Sequence, residues 1–178
     1  MFVIIVAVMK MKKMEITKGK IILYMITFLV IVLGDQMTKL IVDKTLNLGT
    51  GYSIIDNFFY FTYVHNSGAA WGILEGKMIL FFLVSIIAAV GIVYYFLQTH
   101  SYQQLTRFGL VLVFSGMIGN LIDRIVLGYV RDFIDFIILG YNFPVFNVAD
   151  MAIVIGVILI IIELSIEEYK AWKLSKSK

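Results

Sequence analysis

The chain contains no cysteine and a single proline, and only 15% of its 178 residues are charged. Without cysteine there is no disulfide, no thiolate metal ligand and no cysteine nucleophile. One proline excludes proline-rich linkers. The shortage of charge, set against 61% hydrophobic residues and a mean hydropathy of +0.94, excludes an aqueous globular enzyme, a disordered regulator and a collagen-like fibre. The chain is built for a bilayer. A formal net charge of +3 is too small to argue for nucleic acid, and the lysines cluster beside apolar segments, as membrane anchors do.

What the chain has in quantity is long apolar runs. A helix needs about 20 residues to cross ~30 Å of hydrocarbon, and four runs qualify, at about 21–42, 78–97, 105–127 and 148–168. Met1 to Met9 is apolar but too short to cross; Met11 and Met14 are equally good starts, and the segment is given no role. Lys10, Lys12, Lys13, Lys18 and Lys20 precede the first run, and Lys170, Lys173, Lys176 and Lys178 follow the fourth. The positive-inside rule then places both termini in the cytoplasm and the two longer connections, about 43–77 and 128–147, outside. No repeat or linker divides the chain, so residues 1–178 read as a single integral membrane domain.

The first outer connection carries Phe58, Phe59, Tyr60, Phe61, Tyr63 and Val64, a strand-favouring run closed by Asn66, Ser67 and Gly68. Such aromatic density suits the headgroup layer. The second mixes Phe133, Ile134, Phe136, Ile137 and Ile138 with Asp132 and Asp135, then turns at Gly140 to Pro144. The expected fold class is an all-α membrane protein: four transmembrane helices, with a small β-sheet and a short interfacial helix or flap on the outer face.

Threading the spans gathers the polar residues. Asp35 lies fourteen residues after Ile21, roughly 21 Å along an outward-going helix, with Gln36 and Lys39 just beyond. Asn120, Asp123 and Arg124 close the third span, and Asn147 and Asp150 open the fourth, at the same depth. An Asp, Lys or Arg at mid-span costs about 2.5–3.5 kcal/mol on insertion scales, so these groups are expected to face one another or a wet cavity. Asp35 with Lys39, and Asn120 with Asp123 and Arg124, have the spacing of scaffold pairs whose charges cancel locally. Asp132, Asp135 and Asp150 are left without an obvious partner. Asp135 fits an acid snorkelling into the headgroups better than it fits chemistry, and Asp132 suits either use. Asp150, one turn inside the fourth span where water is scarce, favours the functional reading, and Asn147 doubles as an N-cap.

Two carboxylates in a poorly solvated site cannot both ionise, so one keeps its proton and the pair divides into general base and general acid. That arrangement suits amide hydrolysis without a cofactor, with Arg124, Asn66 or Asn147 holding the substrate backbone. His65 and His100 fall on opposite sides of the bilayer, so no paired-histidine zinc motif exists and no metal is expected. Ser115 would need His65 to reach it from the outer loop; Ser115, Gly116 and Gly119 read instead as helix-packing surface, and His65 as support for the outer sheet. A proton-coupled transporter is the alternative from another class, weakened by inner halves of the first and third spans that are nearly all apolar. A non-enzymatic assembly factor whose polar layer binds a partner helix is the third.

The ordered motifs resemble those of the lipoprotein signal peptidases, signal peptidase II, across essentially all four spans. Asp35 to Lys39 is similar to the family's DQxxK, Asn66 to Gly72 to its NxGAA stretch, Gly116 to Arg124 to GxxGNxxDR, Val130 to Phe133 to VxDF, and Phe146 to Asp150 to FNxAD. Ser115 stands where the family often has glycine or alanine, and the extension through Met9 is not family-like. The resemblance implies a membrane aspartyl endopeptidase of the bacterial cytoplasmic membrane, active site toward the outer face. Its implied reaction removes signal peptides from prolipoproteins, cutting before a diacylglyceryl-modified cysteine. It implies Asp132 and Asp150 as the catalytic dyad. By the same resemblance Asn66, Asn120, Arg124 and Asn147 match positions that line the substrate pocket and Asp35 and Lys39 match supporting positions, with Gly68 and Asp123 expected among the substrate-binding or supporting residues. Asp135 matches an acid common after VxDF that is not a dyad member. The expected partners are the modified prolipoproteins and membrane lipid, with no nucleic acid or metal, and the protein is expected to act as a monomer. The aromatic sheet and the 128–146 connection are further expected to close over the peptide as a clamp.

Overall fold

The structure, a computed structural model, describes residues 16–68 and 77–177. Met1 to Met9, Lys10, Lys12 and Lys13 lie outside the described residues, as do Ala69, Ala70, Trp71 and Gly72 of the second motif. Four helices occupy the four apolar runs: α1 (Lys18–Thr45), α2 (Met78–Gln98), α3 (Gln104–Leu127) and α4 (Val148–Lys176). Each carries a stretch long and apolar enough to cross a membrane. Their outward faces bear exposed leucine, isoleucine, valine and phenylalanine, the surface lipid requires. α3 is the hub and packs against the other three.

Lipid tails are as apolar as the side chains, so helices in a bilayer associate by close packing rather than by escape from water. The α3–α4 seam shows how. An added Cβ on Gly109 would stand 2.5 Å from the Gly156 carbonyl oxygen, one on Gly156 would stand 2.5 Å from that of Gly109, and one on Gly116 would meet that of Ala149. Gly119 makes room for the Asp35 carboxylate. Ser115, fully buried on the same helix, donates to the Val111 carbonyl at 2.6 Å. Overpacking a tight seam costs about 1–3 kcal/mol, whereas Gly91 on α2 has nothing within 4 Å. Gly156→Ala is therefore expected to lower the thermal midpoint in detergent and Gly91→Ala to raise it slightly, since an unobstructed Gly→Ala in a helix gains ~0.5–1 kcal/mol.

The two longer connections build one antiparallel sheet, ordered β1 (Gly51–Ile55), β2 (Phe59–Asn66), β3 (Val130–Ile138) and β4 (Tyr141–Asn142). The segment expected as a short helix or flap is thus strand, ending in a hairpin. Its Val, Ile and Phe residues lose rotamer freedom in a helix and pack well on a pleat, and β2 offers it a partner edge. The register pairs Phe59 with Phe136, Phe61 with Ile134, Val64 with Asp132 and Asn66 with Val130. The two connections are therefore hydrogen-bonded edge to edge as one plate. Gly128, at φ 82°, ends α3 and turns the chain into β3. The root of the sheet is fixed where Tyr63 and Phe133 bury against Val42 of α1, with Val148 of α4 packed alongside.

A second polar layer lies at the opposite end of the bundle, where the inner halves of the first and third spans are expected to be nearly all apolar. Arg107, fully buried, donates from Nη2 to the Thr99 carbonyl at 2.8 Å and from Nε to the Thr99 hydroxyl at 2.9 Å, capping the end of α2. The Glu163 carboxylate accepts the Thr106 amide at 2.6 Å and so caps the start of α3. Thirteen residues of α3, roughly 20 Å, separate Arg107 from Asn120. Leu110, Leu112 and Ser115, whose hydroxyl bonds to its own helix, lie between them.

Candidate active site

α4 opens with a capping box. The Asn147 side chain accepts the Asp150 amide at 3.0 Å, and the Asp150 carboxylate accepts the Asn147 amide at 3.1 Å. This reciprocal pairing satisfies two of the orphan donors at the helix start. It also fixes Asp150 at N3, where the positive end of the helix dipole stabilises a negative charge. The other Asp150 oxygen accepts Asn120 Nδ2 of α3 at 2.7 Å.

Asp132 reaches the same place from the root of β3. Strand alternation sends neighbouring side chains to opposite faces, so Asp132 and Arg131 diverge. The Asp132 carboxylate is 2% exposed and accepts Asn147 Nδ2 at 2.6 Å and Asn66 Nδ2 of β2 at 2.9 Å. Asn147 Nδ2 also reaches Asn120 Oδ1 at 3.0 Å. Each aspartate is thus held by asparagine amides, and the two amide systems meet at the Asn147–Asn120 bond. Burial, followed by the nearby Asp150 charge, pushes the Asp132 carboxyl up to about 7. A carboxyl so placed keeps its proton near neutrality.

Both aspartates line a cavity of about 710 Å³, together with Asn66, Gly68, Asn120 and Arg124. Its remaining walls are apolar: Val130, the return arm Phe143–Phe146, and the face of α4 from Met151 to Ile155. Arg124 Nη2 donates to the Gly68 carbonyl at 3.3 Å, and its guanidinium sits 4.9 Å from the Phe81 ring centroid. Its Nε is buried with no hydrogen-bond partner among the described residues. Asp135 is elsewhere: it accepts the Thr62 hydroxyl at 2.6 Å and lines a separate cavity of about 370 Å³. His65 stacks on Tyr129 and bonds to Tyr63, within the sheet's support. Among the described residues no group of three or more His, Asp or Glu converges as a metal site would require.

Beneath the cavity lies a buried charge cluster. Lys39 Nζ is 2.8 Å from Asp35, 2.9 Å from Asn120 Oδ1 and 3.6 Å from Asp123. The other Asp35 oxygen accepts the Ala149 amide at 2.9 Å, so a residue of α1 caps α4 from outside. Asp123 binds Arg131 through both carboxylate oxygens and accepts its backbone amide as well. Gln36 bridges Asp123 and Arg131. Two acids and two bases cancel, all at most 4% exposed.

The partner of Asp123 corrects the expected pairing with Arg124. Adjacent helix residues point about 100° apart and do not face one another, so Arg124 turns to the cavity while Asp123 turns inward. Arg131 is the member of the buried charge cluster that helix spacing does not reveal. It lies across a turn and on a strand, and only its adjacency to Asp132 hinted at it. Gln36 was visible at the right depth but without a role.

The profile described as Signal peptidase (SPase) II matches residues 26–166. Lipoprotein signal peptidases of Staphylococcus aureus, strains JH9 and N315 among them, are 47% identical over 134 residues, 75% of this chain and 82% of theirs. A solved bacterial membrane enzyme obtained by the in meso method at 2.3 Å superposes with a TM-score of 0.78 at 41% identity, covering 89% of this chain and 94% of that one. A second, at 1.9 Å, gives a TM-score of 0.74 at 42% identity, covering 86% and 97%. With more than half its length matched and the bundle, sheet and polar cavity in place, the chain belongs to the signal peptidase II family of bacterial membrane peptidases.

Proposed function

We propose that this protein removes the signal peptide from bacterial prolipoproteins, cutting before a diacylglyceryl-modified cysteine, with Asp132 and Asp150 as an acid–base pair. The observation that carries the reading is the shared cavity. Two aspartates from different elements converge in it, each held by asparagine amides, and one of them is buried enough to keep a proton near neutrality. Asp150, held at N3 by the Asn147 amide and Asn120, takes a proton from water as that water attacks the scissile carbonyl. Asp132 gives its proton to the carbonyl oxygen, and Arg124, with a spare buried donor, holds the substrate backbone. The roles then reverse as the tetrahedral intermediate collapses and the amine leaves protonated.

The cavity walls suit the substrate. The apolar face of α4 from Met151 to Ile155 opens along the bundle, where an apolar signal helix and acyl chains arrive sideways from lipid. In this reading the protein works as a monomer, with the sheet end of the bundle facing outward and both termini in the cytoplasm. Purified protein incubated with a diacylglyceryl-modified prolipoprotein should release the signal peptide, while the unmodified precursor should persist. Cleavage of neither would overturn the reading.

The pH profile follows from Asp132. Because its carboxyl titrates near 7, the rate should fall by about tenfold per pH unit above that point as the proton is lost. Stability moves the same way. A carboxyl raised in the folded state favours the fold fully below its unfolded value of 3.8, and this contribution is lost as pH rises through about 7. Asp132→Asn should remove that slope, which thermal midpoints measured from pH 4 to pH 8 would reveal.

A further inference from the structure

β3 and β4 are joined by two residues only, since Ile138 pairs with Tyr141. The two, Leu139 and Gly140, take φ of 52° and 79°. Positive φ at both central positions defines a type I′ turn, whose first position selects Asn, Asp or Gly because a bulky side chain crowds the left-handed backbone. In the other hairpin, whose loop has three residues, the one residue at positive φ is an asparagine, Asn57 at φ 59°, a type that tolerates the left-handed region. Leu139 departs from that preference, and at 103% exposure nothing among the described residues covers it.

The surroundings extend the anomaly. Ile138, Tyr141 and Phe143 are 46%, 55% and 41% exposed. From Phe136 to Ala149 there is no charged residue at all. In water, this tip would combine backbone crowding at Leu139 with a fully exposed apolar side chain. Local rules are broken in this way where a function requires it.

The tether identifies the occupant. β3 is rooted at the end of α3 through Gly128, and the return arm runs directly into Asn147, the cap of α4. The hairpin hangs from two helices long enough to cross a bilayer. A charge-free tip flanked by a tyrosine is the composition of a segment lying at a membrane surface.

We propose that the Ile138–Tyr141 tip is a membrane anchor, with Leu139 inserted among the acyl chains of the leaflet at the sheet end and Tyr141 at headgroup level. Leucine is kept at a turn position that disfavours it because lipid, not water, surrounds it. The return arm Phe143–Phe146 is a wall of the dyad cavity. Anchoring the tip holds that wall level with the lipid surface, so the mouth of the cavity opens to lipid. The anchor itself does not depend on the catalytic assignment.

The absence of cysteine makes the test direct. Leu139→Cys, spin-labelled in nanodiscs of mixed phosphatidylcholine and phosphatidylglycerol, should collide with oxygen more than with a water-soluble nickel chelate. It should behave like Leu83→Cys on the exposed face of α2 and unlike Ser101→Cys in the α2–α3 turn. Nickel accessibility equal to that at Ser101 would overturn the anchor and leave the tip to water or a soluble partner. Protection seen only after a substrate peptide is added would also overturn it and assign the tip to substrate.

A second variant separates anchoring from folding. Leu139→Asn suits the turn, so it should raise the thermal midpoint in detergent by a few degrees while lowering prolipoprotein cleavage several-fold in liposomes and not in detergent. An unchanged liposome rate would count against the anchor. If the wild-type protein cleaves nothing in either medium, the proposed function fails while the label measurement still decides the anchor.

Discussion

Asp132→Asn and Asp150→Asn should each reduce prolipoprotein cleavage by about 10⁴-fold, the upper range for loss of a positioned acid or base, yet they should shift stability in opposite directions. Asp132 is buried with its titration raised to about 7, so at pH 8 its ionised form is unfavourable in the fold. An asparagine there keeps an acceptor for the Asn66 or Asn147 amide and removes the charge, and the variant should unfold at a higher temperature than the wild type at that pH. Asp150 is an N3 cap that accepts the Asn147 amide and Asn120 Nδ2. Its replacement should cost about 1 kcal/mol through the weakened cap and the lost charge at the helix start. Circular dichroism, thermal melts and single-turnover cleavage of the same preparations give all four numbers. Substantial cleavage by either variant would remove that aspartate from the chemistry, whereas equal destabilisation of both would show the proton to be placed differently.

Much of this architecture was legible because the bilayer imposes lengths. A run such as Met78 to Gln98, without a charge, has one use at that length, and the helix ends followed from polar residues and lysines. The sheet was half legible. The aromatics from Phe58 to Val64 announce a strand, but the run from Phe133 to Ile138, broken by Asp135, also fits a short amphipathic helix, and only the paired edge of β2 decides between them. The depth of the polar layer followed from helix rise, while the choice of Asp132 over Asp135 came from the resemblance. In the structure, one lines the main cavity and the other is occupied by Thr62.

What stayed hidden depends on contacts between elements far apart in sequence. Arg131 meets Asp123 across a turn, Asp35 caps a helix 114 residues away, and Glu163 caps the start of α3 from 57 residues on. No period within one helix encodes such pairs. Leu139 was hidden for a different reason: a leucine between isoleucine and glycine looks like more strand, and its positive φ emerges only once the hairpin register is set.

Lys39→Met is the second large effect to expect, and it falls on the fold before it falls on the chemistry. Lys39 Nζ is fully buried among Asp35, Asp123 and Asn120. Removing it leaves Asp35 with no ion-pair partner among the described residues and Asp123 with Arg131, and breaking a buried ion pair from one side costs about 3–5 kcal/mol. For a chain of this size that is a fall on the order of 10 °C in thermal midpoint. The damage should be repairable. Asp35→Asn retains an oxygen for the Ala149 amide and removes the stranded charge, so the double variant Asp35→Asn with Lys39→Met should be more stable than Lys39→Met alone. Such a coupling is the signature of a direct pair. Activity should not recover with it, because Lys39 also holds Asn120 Oδ1, and through that side chain the amide that orients Asp150. At a temperature where both variants are folded, kcat should remain low while KM changes little. A midpoint for Lys39→Met within a degree or two of the wild type would mean that the buried cluster is not what joins α1, α3 and α4 beneath the aspartates.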